Sequence, residues 1–458
     1  METHMKKTIL CAAVAALLAT PAYAKVSADE AKQLGTTLTE VGAEKAGNAS
    51  GTIPAFAGVL PASKYPADYK PNSGRWTNPY RDEKPLYTVS AANMAQHEAT
   101  LNDGSKELLK RFPDYQMRVY PTHRDAGYPQ YWLDKTIKNA TSLSLTGNDG
   151  DGITGGWGGF PFPIPKNGWE AMWNFRARYL PPIVTRNLSS YFVNSSGKNT
   201  LISTITAYSY SPWTDPKVTT DEWLQKVMVA TTGPARSAGE LALVWDTANY
   251  AKNGPRTWAY TPGQRRVKLA PEAVYDTPSA PYGGVVLYDE FALFAGRYDR
   301  FDWKLVGKQE MLIPYHTYDL DFNASPQALM GPQHPNPDYE RWELHRVWVV
   351  EATLKKTARH IYSKRRFYLD EDSWKIVASE AWDQAGKLYR LGYANAAPIY
   401  GDKPYAWNET AIYYDLNKGA YAITEVTEPG AGNGNFMLDK FPADVPLTSE
   451  GLSSYGIR

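Results

Sequence analysis

The chain has 458 residues, 49 of them Lys or Arg and 48 Asp or Glu, with 13% aromatic residues and one cysteine. That length can bury a core without disulfide staples, and so even a charge balance argues against nucleic acid or an anionic membrane as the main partner. The 15 Trp, 32 Tyr and 13 Phe fit either a large β core or an apolar cavity, since ligand sites are lined mainly by aliphatic and aromatic side chains.

Residues 1–24 read as a secretory signal peptide. Lys6 and Lys7 form its positive start, Ile9 to Leu18 its apolar stretch, and Ala22-Tyr23-Ala24 its small-residue cleavage site. The apolar stretch is about half of the ~20 residues that a membrane span needs. Cleavage before Lys25 removes Cys11, and the loss of Glu2, Lys6 and Lys7 leaves 47 basic and 47 acidic residues. Leu10 stands before Cys11 where a lipid-anchor signal needs a small residue. The expected product is a single domain, residues 25–458, in the periplasm of a Gram-negative bacterium, not membrane-spanning. Peripheral contact with the outer membrane is a variant of that expectation.

The mature chain opens with a capping box, Ser27 and Glu30, followed at helical spacing by Ala31, Leu34, Leu38 and Val41. Residues 47–85 are rich in Gly, Pro, Ser and Tyr and predict an extended arm lying over the body. A helix capped by Ser90 and a shorter one from Ser105 to Phe112, stopped by Pro113, come next. Residues 147–165 are irregular. Their acidic part, Asn148 to Asp151, lacks the closing glutamate of a calcium loop, and their Gly-rich part lacks the Lys and Ser/Thr of a phosphate loop. A short helix from Trp169 follows.

Strands are expected at 200–210, 223–230 and 240–247, and a hairpin at 256–269 turning on Pro262-Gly263. Residues 282–301 are ambiguous, 303–318 resume strand character, and 322–339 form a proline-rich loop. A four-strand meander then runs from Arg341 to Tyr393. Trp342, Leu344, Trp348, Val350, Ala352 and Leu354 share one face of its first strand, with Arg346 the one exception, and Glu343, His345, Glu351 and Thr353, mixed with Val347 and Val349, the other, which predicts one buried face. Its turns fall at 370–373 and 383–386. Two more strands flank Asn417-Lys418-Gly419, and the last thirty or so residues read as a surface tail. Hairpins without βαβ spacing predict an α+β fold: one large, curved, open antiparallel sheet with helices and the arm over its concave face.

Catalytic chemistry is sparse. There is no His-Glu-x-x-His, no cysteine zinc site after cleavage and no Gly-x-Ser-x-Gly elbow. His316, His345 and His360 read as satisfied sheet histidines, Asp370 and Asp372 as turn residues, and Arg265-Arg266 and Lys364-Arg365-Arg366 as solvated strand edges. No catalytic residue, metal or cofactor is expected. The candidate ligand-binding residues are Trp157, Phe160, Phe162 and Ile164, four large apolar groups in a segment unfit for regular structure, with Trp169 and Trp173 from the helix after it. Such groups either plug the protein's own core or line a cavity mouth.

Several segments resemble a proteobacterial family of exported proteins that carries the domain-of-unknown-function number 1329 and is often described as outer-membrane lipoprotein-sorting-like. They include 38–48, 119–124, 159–165, 234–240, 262–267, 302–308 and, most closely, 343–352 through 366–374. The resemblance implies a fold like that of the lipoprotein carrier LolA and receptor LolB, an incomplete antiparallel barrel around an apolar cavity. It also implies an outer-membrane β-barrel and a resistance-nodulation-division type exporter as partners. It supplies no catalytic residues.

Together these readings predict a non-enzymatic periplasmic carrier or chaperone for a lipid, an acyl chain or another apolar compound, moved to or from the outer membrane. The alternative is a non-catalytic accessory subunit of an outer-membrane transport assembly, its concave face filled by its own arm. A lipid or glycan hydrolase ranks third.

Overall fold

Two stretches of alternating aromatic and β-branched residues, 183–269 and 301–426, each fold into a meander, and the two meanders join edge to edge. The computed structural model describes residues 26–147, 149–270, 275–407, 410–430 and 432–456, so the expected signal peptide and Asn148 lie outside the described residues. The first meander comprises β1 (Ile183–Val193), β2 (Asn199–Tyr210), β3 (Trp223–Gly233), β4 (Leu241–Thr247), β5 (Arg256–Thr261) and β6 (Arg266–Leu269). The second comprises β7 (Phe301–Pro314), β8 (Trp342–Leu354), β9 (Lys364–Asp370), β10 (Ile376–Trp382), β11 (Leu388–Ala394), β12 (Ala411–Asp415) and β13 (Ala420–Val426).

In space the order is β7 to β13 and then β1 to β6, with every neighbouring pair antiparallel. The seam is β13 on β1, where Tyr421 faces Val193 and Ala422 faces Phe192. Strands β6 and β7 lie at opposite ends and do not pair, so the sheet is large, antiparallel and open. The short strand Met117–Val119 adds one parallel bridge to β8, and Asn435–Met437 runs beside β1. The expected α+β fold with one open antiparallel sheet is what the chain adopts.

The sheet is covered on both faces. On one, Val350, Ala352, Phe367, Leu369, Tyr413 and Ala422 share a core with Val41, Leu60 and Trp76 of the arm and with Met172 and Trp173 of the helix Gly168–Arg176. On the other, Val347, Val349, Tyr368, Tyr393, Ile412 and Tyr414 meet Leu108 and Leu109 of the helix Asp103–Arg111. Behind β3–β5, Met228, Leu243 and Tyr260 are capped by Val445 and Leu452, and the Tyr260 hydroxyl donates to the Gly456 carbonyl at 2.9 Å.

This two-sided cover corrects the half-buried reading of β8. Val347 and Val349 are core residues of the second face, and Glu343 and His345, expected outside, are buried among ion pairs. A strand buried on both faces loses its period of two. Three other expectations change. The first helix spans only Ala28–Ala31, since the chain turns through Gly35 at φ 80. The helix expected after Ser90 is a 3₁₀ segment, Met94–Thr100. The expected surface tail contributes a helix, Ser449–Gly456, whose Leu452 is buried.

Candidate functional site

Over β8–β12 the arm packs on the sheet through Val41, Leu60 and Trp76. Over β1–β4 a cavity of about 670 Å³ remains, within the ~300–1,000 Å³ usual for small-molecule sites. Its floor is built by alternation: Ile205 on β2, Val227 and Val229 on β3, and Ala242 and Val244 on β4 all project to the same side. Opposite them stand Tyr282, Tyr288, Phe291 and Phe294, from the cover that connects β6 to β7. Arg176, Arg178 and Arg186 also line the cavity, together with Asp246 and Glu425.

The cover is fastened by charge. Asp289 accepts from Arg365 Nη1 at 2.7 Å and from His360 Nε2 at 3.0 Å. Burial works to raise the Asp289 carboxyl, but Arg365 and His360 outweigh it and hold it below the usual carboxylate range. Next to it Glu290 accepts from the Tyr362 hydroxyl at 2.5 Å and from Arg390 Nη1 at 3.2 Å. Removing one partner of a buried pair of this kind costs about 3–5 kcal/mol. Arg365, expected on a solvated edge, is therefore buried and structural, while Arg265 and Arg266 are exposed as expected.

The six expected ligand residues do not form the wall of this cavity. Phe160 and Phe162 are buried in the neighbouring core, Phe160 edge-on to Tyr128 and Trp132 with ring centroids 5.4 Å away in each case. Their backbone is tied down as well. Thr136 Oγ1 accepts from Phe160 N at 2.9 Å, and the Asn174 amide bonds both Phe162 N (2.8 Å) and Phe162 O (2.7 Å). Trp173 is buried in the same core and donates through Nε1 to Gly150 O at 2.7 Å. Ile164 and Trp169 are half-buried. Trp157 stands apart: half-buried and edge-on to Trp213 at 4.8 Å, it borders a second pocket of about 590 Å³ rimmed by Lys135, Asp221, Glu222 and Lys252.

A dense buried polar cluster brings together three of the segments that carry the family resemblance. His316 lies between two carboxylates, Nδ1 at 2.8 Å from Glu343 Oε1 and Nε2 at 2.9 Å from Asp125 Oδ1. Burial alone would lower its pKa, but the two carboxylates raise it to about 9. His345 Nε2 lies 3.2 Å from Glu343 Oε2, so the histidines at 316, 345 and 360 are satisfied as expected. His345, Asp370 and Asp372 offer ligand atoms within 4.8 Å of one another. However, Asp372 accepts through both oxygens from Arg124, at Nε and Nη2, 2.8 Å each, so a guanidinium already occupies the cation position beside it.

The family described as "Protein of unknown function (DUF1329)" matches residues 88–445. The chain belongs to that family. An uncharacterized protein of Pseudomonas aeruginosa is 40% identical over 414 residues, covering 88% of this chain and 89% of that one. Among solved structures, the chain is similar to a putative outer membrane lipoprotein-sorting protein domain from Vibrio parahaemolyticus (14% identity, 62% of this chain and 98% of that one, TM-score 0.42). It is also similar to a DUF1329 family protein from Desulfovibrio piger (13%, 56% and 89%, TM-score 0.39) and to a LolA superfamily protein from Nitrosomonas europaea (12%, 61% and 99%, TM-score 0.34).

Sequence reasoning missed the cavity wall of this DUF1329 chain in two places. The floor residues sit in strands whose period was legible, but a sequence does not say which face stays uncovered. The cover, residues 275–299, has no period at all. Its one usable signal was the crowding of Tyr282, Tyr288, Phe291 and Phe294 within a Gly- and Asp-rich stretch.

Proposed function

We propose that the protein is a carrier or chaperone that holds a hydrophobic molecule (a lipid, an acyl chain or another apolar compound) by reversible burial in the β1–β4 cavity. One observation carries this reading: Ile205, Val227, Val229, Ala242 and Val244 face Tyr282, Phe291 and Phe294 across about 670 Å³ that the protein's own arm does not fill. Each Å² of apolar ligand surface removed from water gains roughly 25 cal/mol, so one long acyl chain gains several kcal/mol. The cavity wall contains no histidine, cysteine or lysine among the described residues, which favours binding over acid–base or nucleophilic catalysis. Work in the periplasm, with exchange at the outer membrane through a β-barrel and a resistance-nodulation-division type exporter, belongs to the same proposal. Support for it comes from the signal-peptide pattern and the family.

The test is uptake of a fluorescent fatty acid by the wild-type chain and by Val227→Trp, which places an indole on the cavity floor. Wild type should bind and the variant should lose at least tenfold in affinity, while an indole entering an open cavity costs no more than the ~1–3 kcal/mol of overpacking. Absence of uptake by the wild type, with no lipid extractable from protein purified out of the periplasm, would overturn the carrier reading. Equal uptake by the variant would place the ligand elsewhere.

A further inference from the structure

The cavity is apolar along its strands but carries a concentration of cations. Arg176 and Arg178 reach it from the end of the helix Gly168–Arg176, and Arg186 from β1. Lys375, buried before β10, is near enough to Arg178 and Arg186 for their charges to act on it. Against Arg176, Arg178 and Arg186 of the wall stand two carboxylates. Asp246 Oδ2 lies 3.3 Å from Arg176 Nε, and Glu425 Oε2 lies 3.8 Å from Arg186 Nη1, while Arg186 Nη2 donates to Ser209 Oγ at 3.3 Å. The remaining charges of the wall have their own partners. Asp289 is bound to Arg365 and His360, Arg297 faces Asp151 and Asp299, and Arg256 lies over the Trp223 ring.

Arg178 and Lys375 are also incompletely bonded among the described residues. Arg178 donates through Nη1 to the Phe175 carbonyl at 3.1 Å and stacks on the Phe175 ring, yet its buried Nε has no hydrogen-bond partner. Among the described residues Lys375 Nζ has none either, and the residue is 1% exposed. Burial, then Arg176 and Arg186, bring the Arg178 pKa down to about 10. Burial, then Arg178 and Arg186, push the Lys375 ammonium well below its usual range. Buried donors without acceptors and like charges held together are both costly, and a single anion placed among them relieves both.

We propose that this basic region binds the anionic head of an amphiphile whose apolar body lies along β2–β4, so that the ligand is an acid (a carboxylate or a phosphate ester) on a long hydrocarbon body. The inference rests on the carrier reading and adds the ligand's charge and its orientation. The head sits against Arg178 and Arg186, and the body runs over Val227 and Val244 beneath Phe291.

Isothermal titration of the wild-type chain with laurate, dodecyl phosphate, dodecanol and dodecylammonium, four probes of one chain length, tests it. Laurate or dodecyl phosphate should bind at least tenfold tighter than dodecanol, dodecylammonium should bind weakest, and the better of the two acids names the head. In Arg178→Gln the ratio of acid to alcohol affinity should fall towards one. Equal binding of the alcohol and both acids would overturn the anionic head while leaving the carrier reading standing. No binding of any probe would overturn both. If Arg178→Gln does not fold, the wild-type ranking of the four probes still decides the matter.

Discussion

His316 should make the stability of this protein fall as pH rises through the weakly basic range. In the folded chain its pKa is about 9, against 6.5 for an ordinary histidine. The sign follows from linkage: a group whose folded pKa is raised stabilises fully below the unfolded value and loses that contribution as pH rises through the folded one. The His316 contribution is therefore complete below pH ~6.5, fades between ~6.5 and ~9, and is gone above. At 1.36 kcal/mol per unit, the difference amounts to ~3 kcal/mol, and full burial of His316 leaves no solvent screening to discount. Its partners act in the other direction. Burial opposes them, but charge pairing holds Glu343 well below the usual carboxylate range and Asp125 below it, so their contribution is present above that range and lost in acid. The perturbation is His316→Asn, chosen because position 316 has φ 51, which asparagine tolerates. Urea unfolding of both chains from pH 6 to 9.5 gives the difference in stability directly. Asp321, Glu340, Asp370 and Glu380, each raised to about 7 mainly by burial, titrate in both chains and largely cancel in that difference. The variant should be ~3–5 kcal/mol weaker at pH 6, where it leaves buried Asp125 without its cation and Glu343 with Arg341 alone. The gap should then close by ~3 kcal/mol towards pH 9.5. A gap that stays constant over the range would refute the doubly paired imidazolium.

Two further outcomes follow from the placement of the sequence-predicted groups. Phe160→Ala should cost ~3–5 kcal/mol in chemical denaturation, because Phe160 is fully buried between Tyr128 and Trp132, and should change fatty-acid affinity little; a stable variant that no longer binds would move the site to the 157–164 segment. Treatment with EDTA should leave the melting temperature unchanged, since Arg124 holds both oxygens of Asp372 in the His345–Asp370–Asp372 group, and a drop of several degrees would show a structural metal.

The sheet was largely legible because its signal is local. Alternation placed β2, β3, β4 and the four strands of the 341–393 meander, and the hairpin residues between them fixed antiparallel neighbours. What covers each face was not legible. Val347 and Val349 read as outward-facing until the helix Asp103–Arg111 is seen behind them, and that helix comes from over two hundred residues earlier in the chain. The six candidate ligand residues show the same limit. Their apolar bulk was evident, but a sequence does not state whether such bulk fills a gap or borders one. Phe160, Phe162 and Trp173 fill one. Arg176, Arg178 and Arg186 carried no signal at all, because an arginine beside a helix end or within a strand is ordinary until its neighbours prove to be other arginines.

The division of one sheet face into a covered part and a part with a cavity bears directly on the proposed carrier function. Where Val41, Leu60 and Trp76 share a core with the strands, the chain covers that part of the face itself. Where they stop, the wall is completed by a cover whose position is set by Asp289 and Glu290 rather than by apolar packing alone. Buried charge pairs add little net stability, but they do fix geometry, since each demands its partner at one distance and angle. The cover shows the consequence. Ala292 and Leu293 hold φ values of 50 and 66, a region that costs a residue with a side chain on the order of 1 kcal/mol or more. Such a conformation persists only where its surroundings over-determine it, and here the Tyr413 hydroxyl assists by bonding Glu290 O at 3.0 Å. A wall held this way is already in place in the free chain, so under the proposed carrier function little binding energy would go into ordering it.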